Sequence, residues 1–145
     1  MTNVVVVDSS ALISVFSPKD SNHEVAKKLI TGFRNHKTSL IVPGEVFSET
    51  VNVFGKKANH EVATRYGSFI LATDEYTLVE TTYSIRKNAF DKFQKQPKSV
   101  SFTDCLVMAF ADEYETKEIF GFDNAFRKNG YVRFGIDKNK TASPR

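Results

Sequence analysis

Apolar residues fall along this chain in two rhythms, and the alternation between them predicts its elements. Val4-Val5-Val6-Val7 is continuous and β-branched and stops at Asp8-Ser9-Ser10, as expected of a short strand buried on both faces. Ala11, Leu12, Ile13, Val15 and Phe16 then form a helix that Asp8 or Ser9 can cap, broken at Ser17-Pro18-Lys19-Asp20. Val25, Ala26, Leu29, Ile30 and Phe33 lie at helical spacing. Ser39-Leu40-Ile41-Val42 reads as a second buried strand, and Pro43 suits the first turn of the next helix, which runs to about Phe54 with Gly55 as its terminator.

The rhythm continues with a helix over residues 59–71, a strand at 77–80 and a polar, basic helix over 82–95 closed by Pro97. A strongly apolar helix covers 103–114, a strand 117–122 and a short helix 123–128, and Tyr131-Val132-Arg133-Phe134 reads as an edge strand. Strands alternating with helices predict an α/β fold whose mostly parallel sheet is covered on both faces. Residues 1–136 are expected to form one domain and 137–145 a flexible polar C-terminal tail. No repeat or linker divides the chain.

Composition narrows this picture. The 145 residues suit a single domain, and a 41% hydrophobic content suits a packed core rather than disorder. Thirteen phenylalanines without any tryptophan suggest a core rich in phenyl rings. The net charge of +3 is too small to indicate nucleic-acid binding by itself. The single Cys105 rules out an internal disulfide and a cysteine-based zinc site, and reads as a small buried hydrophobe. The absence of a signal-like start or a long apolar run leads us to expect a soluble, cytoplasmic protein without membrane contact.

In parallel sheets ligands gather at the carboxyl ends of the strands, and that rule selects four acids. Asp8 and Asp123 each follow a predicted strand, although each also suits the N-cap of the next helix. Asp104 opens the apolar helix as the partner of Ser101 in a capping box, where a charge can still reach solvent. Glu49 falls at the boundary of a helical stripe formed by Val46, Phe47, Thr50, Val51, Val53 and Phe54, whereas Glu45 lies nearer the polar face. Four clustered carboxylates repel one another unless a cation lies among them, and hard oxygen ligands suit Mg²⁺ or Mn²⁺. His23, His36 and His60 are read as surface residues. Tyr83, Phe90 and Phe93 can stack bases, with core packing the favoured reading.

Three segments together resemble the PIN-domain family, and within it the VapC-type toxins. They are Val4-Val5-Val6-Val7-Asp8-Ser9-Ser10-Ala11-Leu12, Val42-Pro43-Gly44-Glu45-Val46-Phe47-Ser48-Glu49-Thr50, and residues 104–123 with Phe122-Asp123-Asn124-Ala125-Phe126. Ser9 stands where threonine is common in the family. The resemblance implies a three-layer α/β/α sandwich and Mg²⁺- or Mn²⁺-dependent cleavage of RNA, with Asp8, Glu49, Asp104 and Asp123 as catalytic metal ligands. It also implies a homodimer and a cognate antitoxin partner, as for the toxin of a toxin–antitoxin pair. Ser9, Ser10, Arg127 and Lys128 are candidate substrate contacts, the two basic residues through phosphate. The alternatives are a housekeeping RNA-processing nuclease and a catalytically inactive PIN-fold module that binds RNA or protein. A haloacid-dehalogenase-like phosphatase needs an acid where Ser10 stands, and a receiver domain needs an acidic pair and a late lysine that this chain lacks.

Overall fold

The computed structural model describes residues 3–137. Five parallel strands lie in the order β3-β2-β1-β4-β5. They are β1 (Val4–Val7), β2 (Ser39–Pro43), β3 (Tyr76–Val79), β4 (Glu118–Phe120) and β5 (Val132–Arg133). Between them run α1 (Ser9–Phe16), α2 (His23–Asn35), α3 (Gly44–Lys57), α4 (His60–Ala72), α5 (Tyr83–Phe93), α6 (Phe102–Glu113) and α7 (Asn124–Lys128). The sheet is wholly parallel where mostly parallel was expected.

Helix packing falls into two groups. α1 packs on α2 and α3, and α3 on α4, while α6 packs on α5 and α7. This division follows from connectivity. The chain moves outward from β1 to β2 and β3, then returns across β1 to β4 and β5, and right-handed crossovers in opposite directions place helices on opposite faces. The result is the three-layer α/β/α sandwich. Val5, Val6 and Val7 are wholly buried at its centre, and α6 is buried from Asp104 to Ala111.

Several boundaries move for local reasons. α3 passes Gly55 to Lys57, and a Cβ at Gly55 would stand 3.9 Å from that of Ala63, so this glycine lies where α4 packs closely rather than at the helix end. β4 stops at Phe120 instead of residue 122. Asp8 N donates to Phe120 O at 2.9 Å, but Phe122 N donates to Ser10 Oγ at 3.1 Å, so a side chain takes over from the ladder. β5 shrinks to two residues. Asp137, assigned to the tail, is held by the Arg133 guanidinium at 2.7 and 3.0 Å; residues 138–145 lie outside the described residues.

Phe110, Phe120 and Phe126 are wholly buried, as the composition suggested. The aromatics of α5 contradict the core reading: Tyr83 is 81% exposed, Phe90 51% and Phe93 39%. The buried stripe of this helix is narrow, carried by Ile85 and Ala89, and the larger rings fall outside it. His23, read as a surface residue, is partly buried with Nδ1 2.7 Å from Ser14 O.

Candidate active site

The chain reverses its direction of travel across the sheet between β1 and β4, and the carboxyl ends of these neighbouring strands are the place where parallel sheets bind ligands. Asp8 leaves β1 there as the N-cap of α1, its Oδ2 accepting from Ser10 N at 3.2 Å and Ser10 Oγ at 2.7 Å. Only 3% of Asp8 is exposed. Gly121, just after β4, presses against it: a Cβ at Gly121 would come within 2.9 Å of Asp8 Cβ and 3.0 Å of Phe126 Cε2. Residue 121 therefore has to be glycine for the carboxylate to keep its place.

Asp104 occupies the third position of α6 and forms the expected capping box. Ser101 N donates to Asp104 Oδ2 at 3.1 Å, and Asp104 N donates to Ser101 Oγ at 3.0 Å. Asp123 caps α7, with Oδ1 accepting from Ala125 N at 2.9 Å. Because β4 ends early, Asp123 stands three residues past its strand. Glu49 is half-buried on α3, and its Oε2 accepts a 2.5 Å hydrogen bond from Ser9 Oγ.

The electrostatics join these four acids. Burial pushes the Asp8 carboxyl up from its ordinary 3.8 to about 7; the Ser10 hydroxyl opposes this, and the charges of Asp104 and Glu49 add to it. Burial also raises Asp104, with Ser101 opposing and Asp123 and Glu49 adding. Each carboxylate spends one oxygen on its hydrogen bonds, and among the described residues the other accepts none. Four hard oxygen donors on a partly dry edge fit Mg²⁺ or Mn²⁺, which need only one or two direct carboxylates and keep several waters. Among the described residues no group of three or more His, Cys, Asp or Glu side chains is placed to hold a metal ion as it stands, so the fit rests on the chemistry of the donors and not on a formed ligand set.

Glu45 has a different role. Thr81 Oγ1 donates to its Oε1 at 2.5 Å and Arg86 Nη2 to its Oε2 at 2.9 Å; although burial acts upward, these partners hold its carboxyl below the usual range. It is a neutralised ion pair, not a member of the acidic group. Ser9 and Ser10, the candidate substrate contacts, donate to Glu49 and Asp8. Arg127 and Lys128 are exposed at the end of α7, with Arg127 Nε donating to Asn124 Oδ1 at 2.9 Å. Two contributors escaped the sequence reading, Gly121 and Arg133. Arg133 Nη1 donates to Phe122 O at 3.0 Å and secures the turn that carries Asp123; nothing in its local sequence signals a contact 11 residues away. A cavity of about 560 Å³ lined by Ile30, Arg34, Leu40 and Thr77 opens at the opposite edge of the sheet, away from the carboxylates.

The model of the PIN domain matches residues 5–130 of the chain. The chain belongs to the PIN-domain family. Comparison with curated proteins finds no match. Among solved structures, this PIN domain is similar to Mycobacterium tuberculosis VapC20, a sarcin–ricin loop-cleaving toxin, with a TM-score of 0.79 and 18% identity over 89% of this chain and 97% of that one. At that identity the likeness establishes the fold alone. Among the described residues, no helix of this PIN domain is long and apolar enough to cross a membrane.

Proposed function

We propose that this PIN domain is a divalent-metal-dependent endoribonuclease and the toxin of a toxin–antitoxin pair. The observation that carries the reading is the acidic edge itself. Two of the four carboxylates, Asp8 and Asp104, are raised by burial and by the charges of neighbouring acids, all four are held in place by separate caps and serines, and among the described residues no cation of the protein's own is joined to them by an ion pair. A stable fold gains nothing from such repulsion, whereas a site that receives a cation and a phosphate requires it. The similarity to a toxin that cleaves the sarcin–ricin loop supports RNA as the substrate class.

In this reading Asp8, Glu49, Asp104 and Asp123 are the residues that would hold Mg²⁺ or Mn²⁺. Such an ion would supply charge neutralisation at the phosphate and acidify water for in-line displacement. Ser10 keeps Asp8 turned toward the edge, and Ser9 does the same for Glu49. Buried as it is, Asp8 can also take up a proton near neutral pH when the edge is empty. Arg127 and Lys128 approach the RNA backbone beside Asp123. Two copies associate as a homodimer in the cytoplasm, and an antitoxin restrains them.

The test is cleavage of a structured RNA with single-stranded loops, in Mg²⁺, Mn²⁺ or EDTA, by wild type and Asp8→Asn in parallel. We expect cutting that needs the metal and disappears in the variant. Cutting that persists in Asp8→Asn overturns the site assignment. RNA binding without cutting under any metal condition favours the inactive module.

A further inference from the structure

The geometry points to the exposed face of α5 as a stacking platform that delivers single-stranded RNA to the acidic edge, an inference that rests on the ribonuclease reading. Tyr83, Lys87 and Phe90 stand at i, i+4 and i+7 and so share one face of the helix, opposite the stripe of Ile85 and Ala89 that packs inward. Tyr83 is 81% exposed and Phe90 51%. Among the described residues no ring contact holds either of them, whereas Phe93, further along, meets the Phe102 ring edge-on at 5.8 Å. Rings left on the surface of a helix that already buries an adequate stripe contribute nothing to the core and incur an exposure cost. Unpaired bases are natural occupants, because every base offers a π-face.

Charge and position select the same occupant. Lys87 lies between the two rings and takes part in no ion pair among the described residues, and Lys95 and Lys98 follow the helix. Asp91 is the single acid on the helix. A second copy meeting this face symmetrically would set lysine against lysine, whereas an RNA strand brings phosphates to them. Tyr83 and Phe90 are separated by about 10 Å along the axis, so each takes its own base with Lys87 placed for an intervening phosphate.

The face also leads to the site. Arg86 binds Glu45, one turn before Glu49 on α3. Phe93 touches Phe102, two residues before Asp104. The segment after α5 is tied to the end of α7 by paired Gln96–Asn129 hydrogen bonds of 2.8 and 3.1 Å. α5 thus borders the edge that carries the carboxylates.

The protein has no tryptophan, so Phe90→Trp creates a single reporter. In an Asp8→Asn background with Mg²⁺, an unstructured 12-nucleotide RNA is expected to quench that tryptophan, and the same sequence as a duplex is not. Fluorescence anisotropy with labelled RNA should show about tenfold weaker binding for Tyr83→Ala and for Phe90→Ala, with Phe90→Trp retaining affinity. Lys87→Gln should flatten the salt dependence by about 0.7 in log–log slope, the contribution of one phosphate on a single strand. With Asp8 intact, Tyr83→Ala/Phe90→Ala should raise KM and leave kcat unchanged. Wild type that cuts and binds RNA while these variants match it overturns the platform alone; a chain that neither binds nor cuts RNA overturns the nuclease reading with it. Variants that turn a dimer into a monomer in light scattering, with RNA affinity per protomer unchanged, assign the face to a second copy and overturn the proposal.

Discussion

Asp8 sets a measurable conflict between stability and function. Its carboxyl lies at about 7 in the folded protein against an ordinary 3.8. A carboxylate raised in this way binds its proton more tightly folded than unfolded, so the fold loses stability as pH rises from the unfolded value toward the folded one. Each pH unit across that window costs about 1.36 kcal/mol. The cost relative to a neutral side chain is therefore roughly 1–2 kcal/mol at pH 5 and roughly 4 kcal/mol at pH 8, a difference of about 3.

Asn is the informative replacement. Its side-chain oxygen can still accept from Ser10 and cap α1, so the hydrogen bonds survive and the charge goes. We expect urea denaturation in EDTA to show Asp8→Asn more stable than wild type at pH 8, by about 3 kcal/mol more than at pH 5. For a chain of this size that corresponds to a widening of the gap in Tm of about 10 °C. The difference between the two proteins cancels the titrating groups that do not interact with Asp8, leaving its charge coupling to Asp104 and Glu49 as the smaller remainder. Saturating Mg²⁺ should stabilise wild type and not the variant, closing the gap. Parallel pH profiles for the two proteins in EDTA would refute the reasoning, because they would show that Asp8 ionises in the fold as easily as in the unfolded chain.

Further outcomes follow from the same geometry. Gly121→Ala should abolish cutting and cost about 1–3 kcal/mol, since the new methyl meets Asp8 Cβ and the Phe126 ring rather than a flexible side-chain end; denaturation and cleavage assays check both. Glu49→Gln should abolish cleavage, while Glu45→Gln should leave it largely intact and destabilise by about 1 kcal/mol through its half-exposed partner Arg86, so equal cleavage by the two variants would remove the distinction drawn between these acids. Ser9→Ala should lower kcat about tenfold by releasing Glu49, with a stability loss near 1 kcal/mol, and a cleavage time course against wild type measures it.

What the sequence makes legible here is local, and what it hides is long-range. The buried strand Val4–Val7 ending at Asp8 declares itself because parallel strands are apolar on both faces and stop at polar caps. Asp104 is legible through its capping box with Ser101, three residues away. The choice of Glu49 over Glu45 came from a helical wheel, yet what decides Glu45 is Thr81 and Arg86, 36 and 41 residues distant. The close approach of Gly121 to Asp8 crosses two strands and has no local signature. Periodicity also failed for α5, because a helix that buries only Ile and Ala gives no reason to place Tyr83 and Phe90 outside.

The competition between capping and ligand roles, which makes each aspartate ambiguous in sequence, disappears in three dimensions. A carboxylate has two oxygens, and at Asp8, Asp104 and Asp123 one of them binds the amide or hydroxyl that fixes the start of a helix. That bond removes the rotational freedom the second oxygen would otherwise have, so the cap is what aims the ligand. Three helix starts are therefore also three positioning devices, and their amides offset part of the repulsion among the charges they align. This explains how a small domain can hold like charges together at its edge and still fold: the Ser10 hydroxyl and amide lower the Asp8 carboxyl, and the Ser101 amide lowers that of Asp104, against burial and the neighbouring acids. A substitution that keeps the cap and deletes the charge thus leaves the helix start intact, whereas one that deletes both acts on the helix as well.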